Sequence, residues 1–133
     1  MKLSNIVMAL ALAIVFTGSF AQEAKAQALT GDIAKGKKLF KKKNCKQCHK
    51  KDGMGKAKIV DGKEKLSAVK GPKIAGLSEA YVVEKLKAIK MGAKGRKTRY
   101  MKSRIKSLKD QDMADIAAFV KSLGPDYKGM LEK

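Results

Sequence analysis

The only two cysteines of the chain, Cys45 and Cys48, and its only histidine, His49, fall within five consecutive positions. Whatever uses them together must form the organising centre of the domain. A disulfide across so short a loop contributes little, because that stabilisation grows with the size of the loop closed. Tetrahedral structural zinc needs four ligands, and the motif offers three with no second C-x-x-C. A thioredoxin-like redox pair calls for a βαβ context, which the sequence lacks.

The spacing that remains is C-x-x-C-H, read as Cys45-Lys46-Gln47-Cys48-His49, the attachment signature of c-type haem. Two thiols three residues apart at the end of a helix reach the two vinyl groups on one porphyrin edge and form thioethers. The next residue brings its imidazole under the ring, where a nitrogen binds the iron. The rest of the composition agrees with a large apolar cofactor at the centre. There is no Trp, and beyond the first 21 residues only Phe40 and Phe119 represent phenylalanine. Charged residues make up 32% of the chain, so a core built from side chains alone is meagre for this length.

The first residues bear on where such a cofactor is attached. Met1-Lys2 leads into an eleven-residue apolar run, Ile6 to Phe16, followed by Thr17-Gly18-Ser19-Phe20-Ala21. This order describes a secretory signal peptide over residues 1–21, cut after Ala21, with Ala24-Lys25-Ala26 as a later site near 26. An uncleaved anchor is the alternative, but a membrane span needs about 20 apolar residues. The expected location is the periplasm of a bacterium, and haem attachment outside the cytoplasm is consistent with that. Either cut leaves +18, one less than the +19 of the whole chain, since only Lys2 is lost net.

Residues 22–133 then form one domain with a core at about 31–124. Gly31-Asp32 precedes apolar positions at Ile33, Gly36, Leu39 and Phe40, and Asp32 is placed to cap a helix over 32–43. Gly36 in mid-helix costs about 1 kcal/mol against Ala, so close approach of another helix is expected there. Residues 50–77 show no sustained period and read as a long irregular loop wrapped around the cofactor, with a short helical turn at 63–69. Ser78 caps a helix over 79–91 that Gly92 stops. The basic stretch "AKGRKTRYMKSRIKS" reads as an extended loop, and a last helix spans 110–123 with Met113, Ile116, Ala117, Val120 and Leu123 on one face. No strand of consequence is evident. The class is all-α: three main helices plus loops around one haem.

Four segments in this order resemble the class I c-type cytochromes, particularly the small bacterial monohaem kind such as cytochrome c-553. They are "GDIAKGKKLFKKKNCKQCH", "GPKIAGL", "SEAYVVEKLKAIKMG" and "YMKSRIKSLKDQDMADIAAFVKSL". The resemblance covers about residues 31–124 and implies the cytochrome c fold. Gly36, Phe40 and Phe119 match the family's crossing of first and last helices. The family's acceptor for the ligating histidine maps to the carbonyl of Pro72, although Gly71-Pro72 alone also reads as an ordinary turn. Among Met54, Met91, Met101, Met113 and Met130, the resemblance points to Met101 as sixth iron ligand, because it precedes Leu108 by seven residues as the family's ligand does. Met91 is the fallback. Two departures stand out. Lys102 follows Met101 where the family often has Pro, and Lys109 replaces the usual capping Ser or Thr, leaving Asp110 to serve the start of the last helix.

A His49/Met101 pair would saturate the iron and leave no open position, so the expected function is transfer of single electrons, without catalysis. Lys41, Lys42, Lys43, Lys46, Lys50 and Lys51 flank the attachment site. Lys94, Arg96, Lys97, Arg99, Lys102 and Arg104 flank the proposed methionine. This charge is expected to steer the protein, as a monomer, onto acidic redox donors and acceptors, some of them membrane-bound. An alternative is a cytochrome subunit of a larger oxidoreductase, such as a sulfur-compound-oxidising complex, which co-purification with a large subunit would favour. Nucleic acid is not an expected partner: basic charge gives only non-specific attraction, and no recognition motif accompanies it.

Overall fold

Helix α1, Ile33–Lys42, begins where the Asp32 carboxylate accepts the Lys35 amide at 2.9 Å, as the sequence predicts. It ends because Asn44 takes φ +59°, a left-handed value that Asn tolerates better than most side chains. The chain thereby turns into the four-residue helix α2, Lys46–His49. These elements belong to a computed structural model that describes residues 29–65, 70–92 and 98–126. The proposed signal peptide and its cleavage sites, Lys94, Arg96, Lys97, Met130 and the rest of the tail lie outside the described residues.

The long loop contains a small hairpin where no strand was expected. Strand β1, Lys58–Val60, pairs antiparallel with β2, Lys63–Lys65, with Val60 opposite Lys63. Asp61 and Gly62 turn the chain with φ +51° and +73°. Positive φ at both central residues makes this a primed two-residue turn, for which Asp-Gly is a favoured pair. The helical turn expected from residue 63 gives way to β2.

Helix α3, Glu79–Met91, is capped by the Ser78 hydroxyl and closed by Gly92 in the left-handed conformation. The basic stretch before the last helix corrects the extended-loop expectation: Thr98–Ile105 is helical, α4. Helix α5, Asp110–Ser122, starts where Asp112 accepts the Lys109 amide at 2.8 Å. Asp110 lies in the first turn of α5, as expected, and also pairs with Lys87 of α3 at 3.0 Å.

Helix α5 is the centre of the core, with every residue from Met113 to Val120 buried. Helix α1 crosses it so closely that a Cβ on Gly36 would stand 1.9 Å from the Asp115 carbonyl oxygen, and one on Gly31 would stand 2.2 Å from that of Ala114. The mid-helix glycine is thus explained by the crossing. Phe40 and Phe119 close the same junction edge to face, with centroids 5.3 Å apart. Leu77, Val82, Leu86, Ile105 and Leu108 pack around these residues. Full burial of each such side chain contributes about 1.5–3 kcal/mol before entropy is counted. Asp115, 3% exposed, sits inside this junction, where its Oδ1 accepts the Asp32 amide and the Gln111 side chain, each at 2.9 Å. Among the described residues no helix is long and apolar enough to cross a membrane.

Candidate functional site

Cys45, Cys48 and His49 share a single helical turn. The Cys45 carbonyl accepts both the Cys48 amide at 3.2 Å and the His49 amide at 3.0 Å. This places both thiols and the imidazole on neighbouring sides of α2, at the C-terminal mouth of α1. Cys45 packs against the core cluster, and both cysteines are unpaired. Burial pushes the Cys45 thiol up to about 11, against partial opposition from the charges of Lys43 and Arg104. Reactive thiols of redox pairs are shifted the other way. Among the described residues no group of three or more His, Cys, Asp and Glu side chains is arranged to hold a metal ion by itself.

His49 is buried, with 8% of its surface exposed, and its Nδ1 lies 2.9 Å from the Pro72 carbonyl oxygen. A carbonyl can only accept, so Nδ1 carries the proton and donates it. That fixes the tautomer and puts the lone pair on Nε2, the arrangement a metal-ligating histidine requires. The acceptor expected at Pro72 is therefore in place.

The residue beside it, Gly71, does more than turn the chain. A Cβ on Gly71 would lie 2.7 Å from Cε1 and 2.8 Å from Nδ1 of His49. Only glycine lets the backbone lie flat against the imidazole. Three hydrogen bonds hold it there: the Gly71 amide donates to Cys48 O at 3.1 Å, and its carbonyl accepts from Lys56 at 2.9 Å and Ala57 at 3.2 Å. The segment after the motif closes from the other side. Gly55 donates to His49 O at 3.0 Å with φ +74°, and the Gly53 carbonyl accepts from Ile74 and Ala75. The Lys/Gly-rich loop is thus a clamp that sets the histidine ring, and the sequence signal for it was the glycines alone.

Met101 lies on α4 and not in an irregular loop. It is partly buried against the core cluster, one turn before fully buried Ile105, so both occupy the inner face of the helix. Arg99, Lys102 and Arg104 take the exposed face. The fallback, Met91, is 82% exposed at the end of α3, and Met54 is 51% exposed. Met113, 1% exposed, is packing, as its position on the apolar stripe predicts. Lys43 donates to Ser107 at 2.6 Å and ties the attachment turn to the end of α4.

Paired thiols on one helical turn, a tautomer-locked imidazole, a glycine that leaves room for the ring and an inward-facing thioether fit covalent haem better than any other group. Fold and site together define a small c-type cytochrome domain, with haem c held through Cys45 and Cys48. The chain belongs to the cytochrome c family, whose pattern it matches over residues 33–124. Over 102 residues it is 33% identical to cytochrome c4 of Azotobacter vinelandii, an alignment covering 71% of this chain and 42% of that protein. The chain therefore spans less than half the length of that relative. Electron transfer is the function that family membership supports in general.

Proposed function

We propose that this protein is a periplasmic carrier of single electrons whose haem iron is held between His49 and Met101. Bound haem c supplies a one-electron couple, and the rest of the task falls to the chain. Pro72 and Gly71 hold the His49 ring so that Nε2 keeps one position in both oxidation states. Helix α4 offers Met101 from its inner face. Two permanent side-chain ligands leave no coordination position for a substrate, which favours a carrier over an enzyme. The observation that carries this reading is the 2.9 Å bond from His49 to Pro72, since a histidine fixed in this way is built for a metal.

The periplasmic location rests on the apolar run at 6–16 with its small-residue cut, together with a cofactor attached outside the cytoplasm. The partners are acidic redox proteins. Lys41, Lys42, Lys50, Lys51, Arg99, Lys102 and Arg104 are all exposed, and they belong to the segments that carry the cysteines and Met101. Such a surface speeds association with acidic proteins and loses its effect as salt rises.

Oxidised and reduced absorption spectra of protein made with haem-attachment machinery test the centre. The weak far-red iron–sulfur band of the oxidised form is expected in the wild type and in Met91→Ala, and absent from Met101→Ala. Its survival in Met101→Ala would overturn the ligand assignment.

A further inference from the structure

A cavity of about 300 Å³ opens beside the attachment turn, lined by Lys37, Phe40, Lys41, Lys46, Lys51 and Phe119. None of Cys45, Cys48, His49, Pro72 and Met101 lines it, so it is separate from the haem-binding residues. Its floor is the edge-to-face pair Phe40–Phe119 where α1 crosses α5. Its other four lining residues are lysines. Lys37 and Lys41 stand one turn apart on α1, Lys46 occupies the first spacer position of the C-x-x-C-H motif, and Lys51 follows two residues after His49.

Among the described residues no ion pair neutralises these lysines. Between Ile33 and Lys51 the sequence holds nine lysines and no Asp or Glu. The ion pairs among the described residues are Lys35–Asp32, Lys85–Glu84, Lys87–Asp110 and Lys121–Asp126, and none includes a lining lysine. Four like charges around an apolar floor repel one another until negative charge arrives from outside.

We propose that this pocket is the anchoring point for an acidic partner protein, which inserts one aromatic or branched apolar side chain between carboxylates that pair with the lining lysines. The proposal rests on the electron-carrier reading and adds where on the surface a partner docks and by what chemistry. The volume lies at the bottom of the range for small-molecule pockets, roughly 300–1,000 Å³, and suits a single side chain. The charges come from two helices and the loop beyond, which matches several carboxylates along a chain better than one anionic group. An apolar anchor within a charged surround is how binding energy concentrates at protein interfaces, while the charges set rate and register. Because Lys46 lies between the two haem-bearing cysteines, a partner seated here sits within one helical turn of the attachment site.

The test uses the haem-loaded protein and two capped pentapeptides of equal charge, Glu-Glu-Phe-Glu-Glu and Glu-Glu-Ala-Glu-Glu, followed by NMR titration. The phenylalanine peptide is expected to bind roughly tenfold or more tightly, the effect of burying one aromatic side chain, and to shift the Phe40 and Phe119 ring resonances. Lys37→Gln and Lys41→Gln should weaken both peptides, and Lys85→Gln on α3 neither. Equal affinity of the two peptides, or shifts that spare both rings, overturns the proposal. Electron transfer to an acidic redox protein, measured against salt, separates the two readings. Salt-sensitive rates left unchanged by Lys37→Gln and Lys41→Gln overturn the pocket and keep the carrier. Peptide discrimination alongside salt-insensitive transfer supports the pocket and removes the steering.

Discussion

Substituting Gly71 by alanine adds one methyl group to the most crowded point of the site. The new Cβ would stand 2.7 Å, 2.8 Å and 3.1 Å from Cε1, Nδ1 and Nε2 of His49, where carbon contacts settle near 3.5–4.0 Å. Something must move by almost an ångström. The backbone is poorly placed to retreat, because Gly71 is held by its bonds to Cys48, Lys56 and Ala57. The ring is the other choice, and moving it stretches the 2.9 Å bond to Pro72. Overpacking of this kind costs about 1–3 kcal/mol, and losing a net hydrogen bond adds about 0.5–1.5 kcal/mol. The expected destabilisation is therefore about 1.5–4.5 kcal/mol. Urea unfolding of the haem-loaded protein measures it, with Gly124→Ala as control, since a Cβ at Gly124 meets its nearest neighbour at an ordinary 3.5 Å.

The same variant carries a readout that a purely structural glycine would not move. An imidazole pulled from its acceptor is a weaker donor to ferric iron, so the midpoint potential should rise. Gly71→Ala with stability within about 0.5 kcal/mol of wild type and an unchanged potential would refute the claim that this backbone sets the ring.

At the helix crossing, Gly36→Ala drives a Cβ to 1.9 Å from the Asp115 carbonyl, and should separate α1 from α5 at a cost of about 3 kcal/mol or more, measured by urea unfolding with the haem spectrum retained. Asp115→Ala leaves the Asp32 amide and the Gln111 side chain without their buried acceptor; about 1–3 kcal/mol of stability should be lost, and Asp115→Asn, which keeps an accepting oxygen, should lose less. The Asp32 carboxyl is held below its ordinary value, first by the hydrogen bond it accepts from the Lys35 backbone amide. A depressed folded pKa stabilises above the unfolded value and is lost as pH falls through the folded one. Stability of the wild type should therefore drop on acidification below about pH 4 more than that of Asp32→Asn, which still caps α1 at every pH.

What the sequence disclosed and what it hid follow a physical division. Helices α1 and α3 carried their own punctuation, Asp32 and Ser78 before them and Gly92 after, and their bounds agree with the expectation to within a residue or so. The motif residues were legible because attachment chemistry demands a fixed local spacing. Helix α4 was hidden by its charge. Arg99, Lys102 and Arg104 dominate the stretch, yet Met101, Ile105 and Leu108 fall at i, i+4 and i+7, the period of a buried helical face. The hairpin was hidden by the opposite habit, since the Lys/Gly richness of the loop masked the Asp61-Gly62 turn signal. Gly71 was hidden because its meaning is tertiary: nothing within its own segment tells which ring will press against it.

The placement of the glycines also explains how so lysine-rich a chain builds a site without a large core. Close backbone approach substitutes for side-chain bulk at two places. Gly31 and Gly36 let α1 lie directly on α5, and Gly71 lets the loop lie directly on His49. The first contact depends on protein alone: Phe40, Phe119 and the buried Asp115 network hold it. The second holds His49, through backbone bonds from Gly55 and Gly71 to the motif's own carbonyls at His49 and Cys48. The helix crossing and the histidine clamp thus use different partners. A substitution at the crossing should change stability with the potential nearly fixed, whereas one at the clamp should change both.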